Sequence, residues 1–80
     1  GFIMGNAVTV TTKLSSAHAE ALLAAMRAQY LLSLNEHWYA DEYRYVPQIA
    51  RHKSILEKSP VMAAQKSLMA ALSLSLKAVK

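Results

Sequence analysis

The chain has no cysteine, only two glycines, only two prolines and no long apolar run. Without cysteine, neither a disulfide nor a thiolate metal site is available, and a cytoplasmic location is expected. No apolar run reaches the roughly 18 residues that indicate a transmembrane helix, so we expect no transmembrane segment. The first residues do not combine a basic stretch with an apolar one, so no secretory signal is expected either.

What the chain does have is an apolar composition, with 54% hydrophobic and 18% charged residues in a length of 80. A chain of this size buries only about 60% of the surface that it exposes when unfolded, so we expect oligomerisation to support it. We predict one helical domain over residues 15–80 and an extended arm or short strand over residues 1–14. Residues 1–3 precede Met4 and are interpreted as a cloning remnant.

A long first helix is predicted from a cap at Ser15 or Ser16 to about Tyr43, because no proline or glycine interrupts the segment. Its sides are apolar almost all round, which is typical of a helix buried on several sides. We therefore expect this helix to mediate self-association. The residues expected to do so are Leu22, Leu23, Met26, Tyr30, Leu31 and Leu34.

Two shorter helices are predicted to follow. Pro47 favours a helix start, and residues 48–58 carry the apolar set Ile49, Ile55 and Leu56. Ser59 and Pro60 together indicate the start of a third helix. The apolar face expected for this helix consists of Val61, Leu68, Leu72, Leu76 and Val79. Residues 72–77 alternate with a period of two and could form a strand, but the helical face continues through them, so helix is favoured.

Aromatic side chains concentrate in the segment NEHWYADEYRYVP, residues 35–47. Tyrosine, tryptophan and arginine are enriched at the energetically important positions of protein interfaces. The predicted partner-binding residues are Trp38, Tyr39, Tyr43, Arg44 and Tyr45. The alternative is that the rings fill the corner between the first two helices. Local acidic residues argue against nucleic acid at this segment.

One pair of residues suggests metal chemistry, but weakly. His37 and Asp41 are four residues apart and could share a divalent cation. A zinc site needs three or four protein ligands, and no second pair is suitably spaced. We therefore expect His37 to be partly buried and to form a hydrogen bond with Asp41, without a metal or other cofactor. No nucleophile elbow or glycine-rich phosphate loop is present, so no enzymatic activity is expected.

Charge is divided unevenly along the chain. Residues 1–43 carry two basic and four acidic side chains, whereas residues 44–80 carry seven basic and one acidic. This division suits self-association, an acidic partner or nucleic acid. Binding of the last helix to a membrane surface is a further alternative, but lysines exposed to solvent are the simpler interpretation.

The arm VTVTTKL followed by a helix resembles the ribbon-helix-helix family over at most the first third of the chain. The resemblance implies a dimer whose paired arms read the major groove of DNA. Thr9, Thr11 and Lys13 would then be the DNA-binding residues. The long first helix departs from the family's pattern, as does the single basic residue of the arm.

The sequence thus predicts an all-α bundle of one long and two shorter helices, with an N-terminal arm, completed by oligomerisation. The predicted function is that of a small non-enzymatic module that binds a larger protein and modulates it. An inhibitor, an adaptor or an antirepressor of phage type would fit this description. The alternative is a DNA-binding transcriptional regulator of the ribbon-helix-helix kind.

Overall fold

The computed structural model describes residues 7–79, which form three α-helices joined by short connections. Helix α1 spans Ser16–Trp38, α2 spans Gln48–Lys58 and α3 spans Pro60–Ala78. A short 3-10 turn, Asp41–Tyr43, lies between α1 and α2. No β-strand occurs among the described residues, so the all-α class is confirmed. Within residues 7–79, no helix has both the length and the apolar character needed to cross a bilayer.

Two helix starts agree with the sequence prediction. The Ser15 hydroxyl accepts a hydrogen bond from the His18 backbone N–H at 3.1 Å. At α3, the Ser59 hydroxyl accepts from the Met62 N–H at 3.3 Å, and Pro60 occupies the first helical position. Each serine satisfies one of the backbone donors that a helix leaves free in its first turn. The segment 72–77 lies within α3, so the interpretation as helix is confirmed.

The predicted end of α1 near Tyr43 is wrong. The helix ends at Trp38, and Ala40 adopts an extended conformation with φ −71° and ψ 145°. This bend redirects the chain so that Tyr43 points into the core, where it is 1% exposed. Although residues 16–38 have strong helix propensity, the helix does not continue to Tyr43, because the bend allows this large ring to be buried.

The central cluster of buried side chains takes one residue from each element. Tyr30 comes from α1, Tyr43 from the 3-10 turn, Ile55 from α2 and Met62 from α3. Partly buried side chains surround this group, namely Leu34, Trp38, Ala40, Val46, Leu56 and Met69. Burying each large apolar side chain stabilises the fold by about 1.5–3 kcal/mol. This central cluster is thus small, and it lies where the corner between α1 and α2 meets the start of α3, while Ala19 and Leu23 of α1 are buried outside it.

The predicted inward faces of α2 and α3 need correction. In α2, Ile55 and Leu56 face the core as predicted, but Ile49 is exposed. In α3, Val61 and Leu68 are exposed, while Met62 and Met69 are turned inward. Val79, just past the end of the helix, is also exposed, but Leu72 and Leu76 are partly buried in agreement with the prediction. The buried face of the first half of α3 is therefore rotated by about one residue position from the predicted one. Met62 packs beside Tyr43 and Ile55, and this contact with the corner fixes the rotation.

The molecule is flat, with principal dimensions of 43 × 36 × 17 Å and a radius of gyration of 15.3 Å. A compact chain of this length has a radius of gyration of about 12 Å. Its accessible surface is 6398 Å², against about 4,800 Å² for a compact monomer of this mass. The fold thus leaves an unusually large surface in contact with solvent.

Candidate functional site: the corner between α1 and α2

The corner, residues 39–47, is held by consecutive tight backbone turns. The N–H of Ala40 donates to the His37 carbonyl at 3.0 Å, and that of Tyr43 donates to the Ala40 carbonyl at 3.0 Å. Two more bonds of the same spacing follow, from Arg44 to Asp41 at 3.1 Å and from Val46 to Tyr43 at 3.0 Å. Because these bonds repeat along the segment, the corner has a defined backbone course despite being a connection.

One arginine of α2 ties the two ends of the corner together. The Arg51 guanidinium donates to the Val46 carbonyl from Nη2 at 2.6 Å and from Nε at 3.2 Å, and its Nη1 donates to the Trp38 carbonyl at 3.2 Å. Its central carbon also lies 5.3 Å from the Trp38 ring centroid, within range of a cation–π interaction. A planar, always-charged group suits this role, since its donors can reach two carbonyls at once.

Tyr43 anchors the corner in the core, against the prediction that it binds a partner. It packs with Tyr30, Ile55 and Met62, and its side chain is unavailable at the surface. Lys58 of α2 lies above its ring, with Nζ 5.3 Å from the ring centroid. Partner binding at the corner must therefore depend on its other side chains.

Those other side chains include three that are exposed, which we call the corner face: Tyr39, Arg44 and Tyr45. Tyr39 is 79% exposed and Tyr45 is 86% exposed. The Arg44 guanidinium carbon lies 4.9 Å from the Tyr45 ring centroid, so the two side chains form a stacked pair. Exposed tyrosines beside an arginine on an ordered connection have the composition of an interface rather than of a core.

A shallow groove of about 290 Å³ runs along the last turns of α1 and ends at Tyr39. Its lining residues are Leu31, Leu34, Asn35, Trp38 and Tyr39. Trp38, predicted to bind a partner, is partly buried between this groove and the Arg51 guanidinium. The corner face thus continues into a mainly apolar depression that one side chain of a partner could enter.

The expected hydrogen bond between His37 and Asp41 is not formed. Instead, the His37 Nδ1–H donates to the Ser33 carbonyl one turn back in α1 at 2.8 Å. The break at Ala40 moves Asp41 off the helix face that it would share with His37. In the described part of the chain, no three histidine, aspartate or glutamate residues are grouped as a metal would require.

A polar pair joins α1 to α2 beside the core. The Tyr30 hydroxyl lies 2.7 Å from Nε2 of His52, and the two rings meet edge to face with centroids 6.0 Å apart. Burial raises the pKa of the Tyr30 phenol above its usual range, because desolvation penalises the phenolate. No sequence pattern connects these two residues, since 22 positions separate them.

The residues predicted for self-association divide between two surfaces. Leu23 and Tyr30 are buried inside the chain, and Met26 and Leu34 are partly buried there. Leu22 lies at the edge of this face, whereas Leu31 is exposed. The face predicted to meet another chain therefore packs within this one, and only its margins remain open.

Residues 7–14 of the predicted N-terminal arm lie apart from the corner in the sequence and are solvent-exposed, and residues 1–6, with the segment interpreted as a cloning remnant, lie outside the described residues. Thr9, Thr11 and Lys13, the residues of the DNA-binding alternative, have no helical or strand structure around them within residues 7–15. A second groove, of about 380 Å³, separates the end of the arm from the end of α3. Leu14, Leu72 and Leu76 are among its lining residues.

Sequence reasoning missed Arg51, the residue that does most to shape the corner. Its position gave one signal, since an arginine in the first turns of a helix that follows a corner can reach back to free carbonyls. Nothing in the local pattern, however, distinguishes it from Lys53, which is exposed. No family model, curated protein or solved structure matches this chain.

Proposed function

We propose that this protein is a small, self-associating, non-enzymatic module that binds a larger protein through the corner face and modulates it. The observation that supports the proposal is the exposure of Tyr39, Arg44 and Tyr45 on a corner whose backbone is fixed. Groups held in place before binding lose less conformational entropy when a partner docks. An inhibitor or adaptor, including one of the phage antirepressor kind, needs only such a surface.

The chemistry of the corner face indicates what the partner presents. The two tyrosine rings favour an apolar or aromatic contact, and the groove beside Tyr39 can accept one such side chain. Arg44 favours a carboxylate, because it can donate two parallel hydrogen bonds to it. The partner surface expected here is therefore an apolar patch with an acidic residue at its edge.

Affinity capture with matched variants tests this function. The chain is immobilised, the bound protein is identified by mass spectrometry, and the purified partner is then titrated against the variants. Tyr39→Ala with Tyr45→Ala should weaken binding by about 100-fold or more, since truncating a tyrosine at an energetically important interface position costs about 2 kcal/mol or more. The helical circular dichroism should not change, because both rings are exposed.

A second double variant controls for the loss of exposed apolar surface in general. Val61 and Leu74 are exposed on α3, away from the corner in the sequence. Val61→Ala with Leu74→Ala should leave the affinity unchanged. Equal binding by the two double variants, or full binding by the tyrosine variant, would show that the corner face is not the binding surface.

A further inference from the structure

The outward face of α1 is an apolar surface that the fold leaves unpartnered on a regular element. Leu31 is 64% exposed and Leu32 is 67% exposed. The exposed alanines that continue this face toward the start of the helix are Ala17, Ala21, Ala24 and Ala28. The spacing of four and three residues brings these positions to one side of the helix, opposite the buried residues Leu23 and Tyr30.

The charges that border this face have a specific arrangement. Glu20 and Arg27 are both exposed and are seven residues apart, so they lie along the same edge. About 10 Å separates them along the helix axis, which is too far for an ion pair within the helix. Within residues 7–79, neither forms an ion pair with another residue. One edge therefore presents a negative and a positive side chain, each open to an opposite charge.

We propose that a second copy of this chain covers the face, with the two α1 helices antiparallel about a two-fold axis midway between Glu20 and Arg27. The inference rests on the self-association included in the proposed function and gives it a surface and a direction. In this arrangement Glu20 of each copy faces Arg27 of the other, so the same ion pair forms twice. A two-fold interface requires such self-complementarity.

Other arrangements of the two helices lack this match. An antiparallel pair shifted by one heptad, with its axis near Arg27, brings the two arginines together. A parallel pair in register places Glu20 and Arg27 beside Ala25 and Leu32 of the other copy, so no ion pair forms. Charge complementarity thus selects one register, since like charges across an interface disfavour it.

The side chains and the exposed area also suit a second copy. Alanines at the crossing let two helices approach more closely than larger side chains would. Leu31 of one copy then lies at the level where α1 of the other begins. The accessible surface of 6398 Å² exceeds that of a compact monomer by about 1,600 Å². Part of this excess comes from the extended residues 7–15, which are all exposed, and part from the uncovered outward face of α1.

Charge exchange tests the arrangement without altering the core. The variants are Glu20→Arg and Arg27→Glu, and the mass of each is measured by light scattering over a range of concentrations. Each single variant brings like charges together twice, so its dimer dissociation constant should rise at least about tenfold. The matched controls, Glu57→Arg on α2 and Lys53→Glu on α2, make the same charge changes on other exposed residues and should dimerise as the wild type does.

Mixing gives the decisive result. In an equimolar mixture, Glu20→Arg chains present two positive side chains where Arg27→Glu chains present two negative ones. The mixture should recover the dimer mass, and the double exchange on one chain should recover it as well. Single variants that dimerise normally would overturn the proposed α1–α1 interface but not self-association itself. Failure of the mixture to dimerise would overturn the antiparallel orientation of the two helices. A wild type that remains monomeric at all concentrations would overturn both the α1–α1 interface and the proposed self-association.

Discussion

Arg51 shows how one side chain can define a corner. Its three hydrogen bonds reach the carbonyls of Trp38 and Val46, on either side of the bend. Arg51→Lys should lower the free energy of unfolding by about 1–3 kcal/mol, because an ammonium cannot serve both carbonyls in this geometry. Urea unfolding followed by fluorescence of Trp38, the single tryptophan, measures the loss. Lys53→Arg, an exposed change on the same helix, should have no effect, and an equally stable Arg51→Lys would contradict the role assigned to Arg51.

The contribution of Tyr30 to the free energy of unfolding should depend on pH. Burial raises the pKa of its phenol, so the folded chain holds this proton more tightly than the unfolded chain does. The resulting stability is fully present below the unfolded pKa of about 10 and is lost as pH rises through the folded value. At pH 8, Tyr30→Phe should be less stable by about 1 kcal/mol, because the hydrogen bond to His52 is lost.

The difference between wild type and Tyr30→Phe should shrink as pH rises above 10. Only the wild type has a buried phenol at position 30, so only its stability falls as this group ionises above pH 10. Urea unfolding by circular dichroism at pH 8, 9, 10 and 11 measures the difference. Tyr45→Phe, which removes an exposed hydroxyl, provides the control. A difference that stays constant over this range would show that ionisation of Tyr30 is not coupled to folding.

At the scale of elements, local signals predicted the helix starts, whereas tertiary contacts determined where α1 ends and which side chains of the corner are buried. Serine and proline at positions 59 and 60 act through bonds to neighbouring backbone atoms, so sequence alone located the start of α3. The end of α1 depended on Tyr43 reaching Ile55 and Met62, which no local pattern encodes. The corner was predicted as a candidate site from its composition, but only the fold could separate the buried Tyr43 from the exposed Tyr39.

Ser59 is the boundary between two helices, since it ends α2 and caps α3. Ser59→Ala removes the acceptor for the Met62 N–H and should destabilise the chain by about 1 kcal/mol. For a domain of this size the midpoint of thermal unfolding should fall by about 4–8 °C. Ser67→Ala, an exposed change inside α3, is the control and should leave the midpoint unchanged. Equal midpoints for the two variants would show that the cap has no net effect.

The whole molecule is flat and widely exposed, which makes its stability dependent on what covers it. If chains associate only when folded, association favours the folded state, and the midpoint of thermal unfolding should rise with protein concentration. Scanning calorimetry between roughly micromolar and millimolar chain concentrations measures this shift. The Glu20→Arg variant should show a smaller shift than the wild type over the same range. A midpoint independent of concentration for the wild type would indicate a monomer that is stable by itself.

The central cluster draws a single buried residue from each of its four elements, and this has a consequence for how the chain folds. No two elements can complete the group of Tyr30, Tyr43, Ile55 and Met62 on their own. A partly folded chain therefore gains little stability until the last element packs against the others, which favours an all-or-none transition without stable intermediates. By the same reasoning, no fragment of the chain carries the fold. We therefore expect a protease cut between α2 and α3 to release two pieces that both unfold.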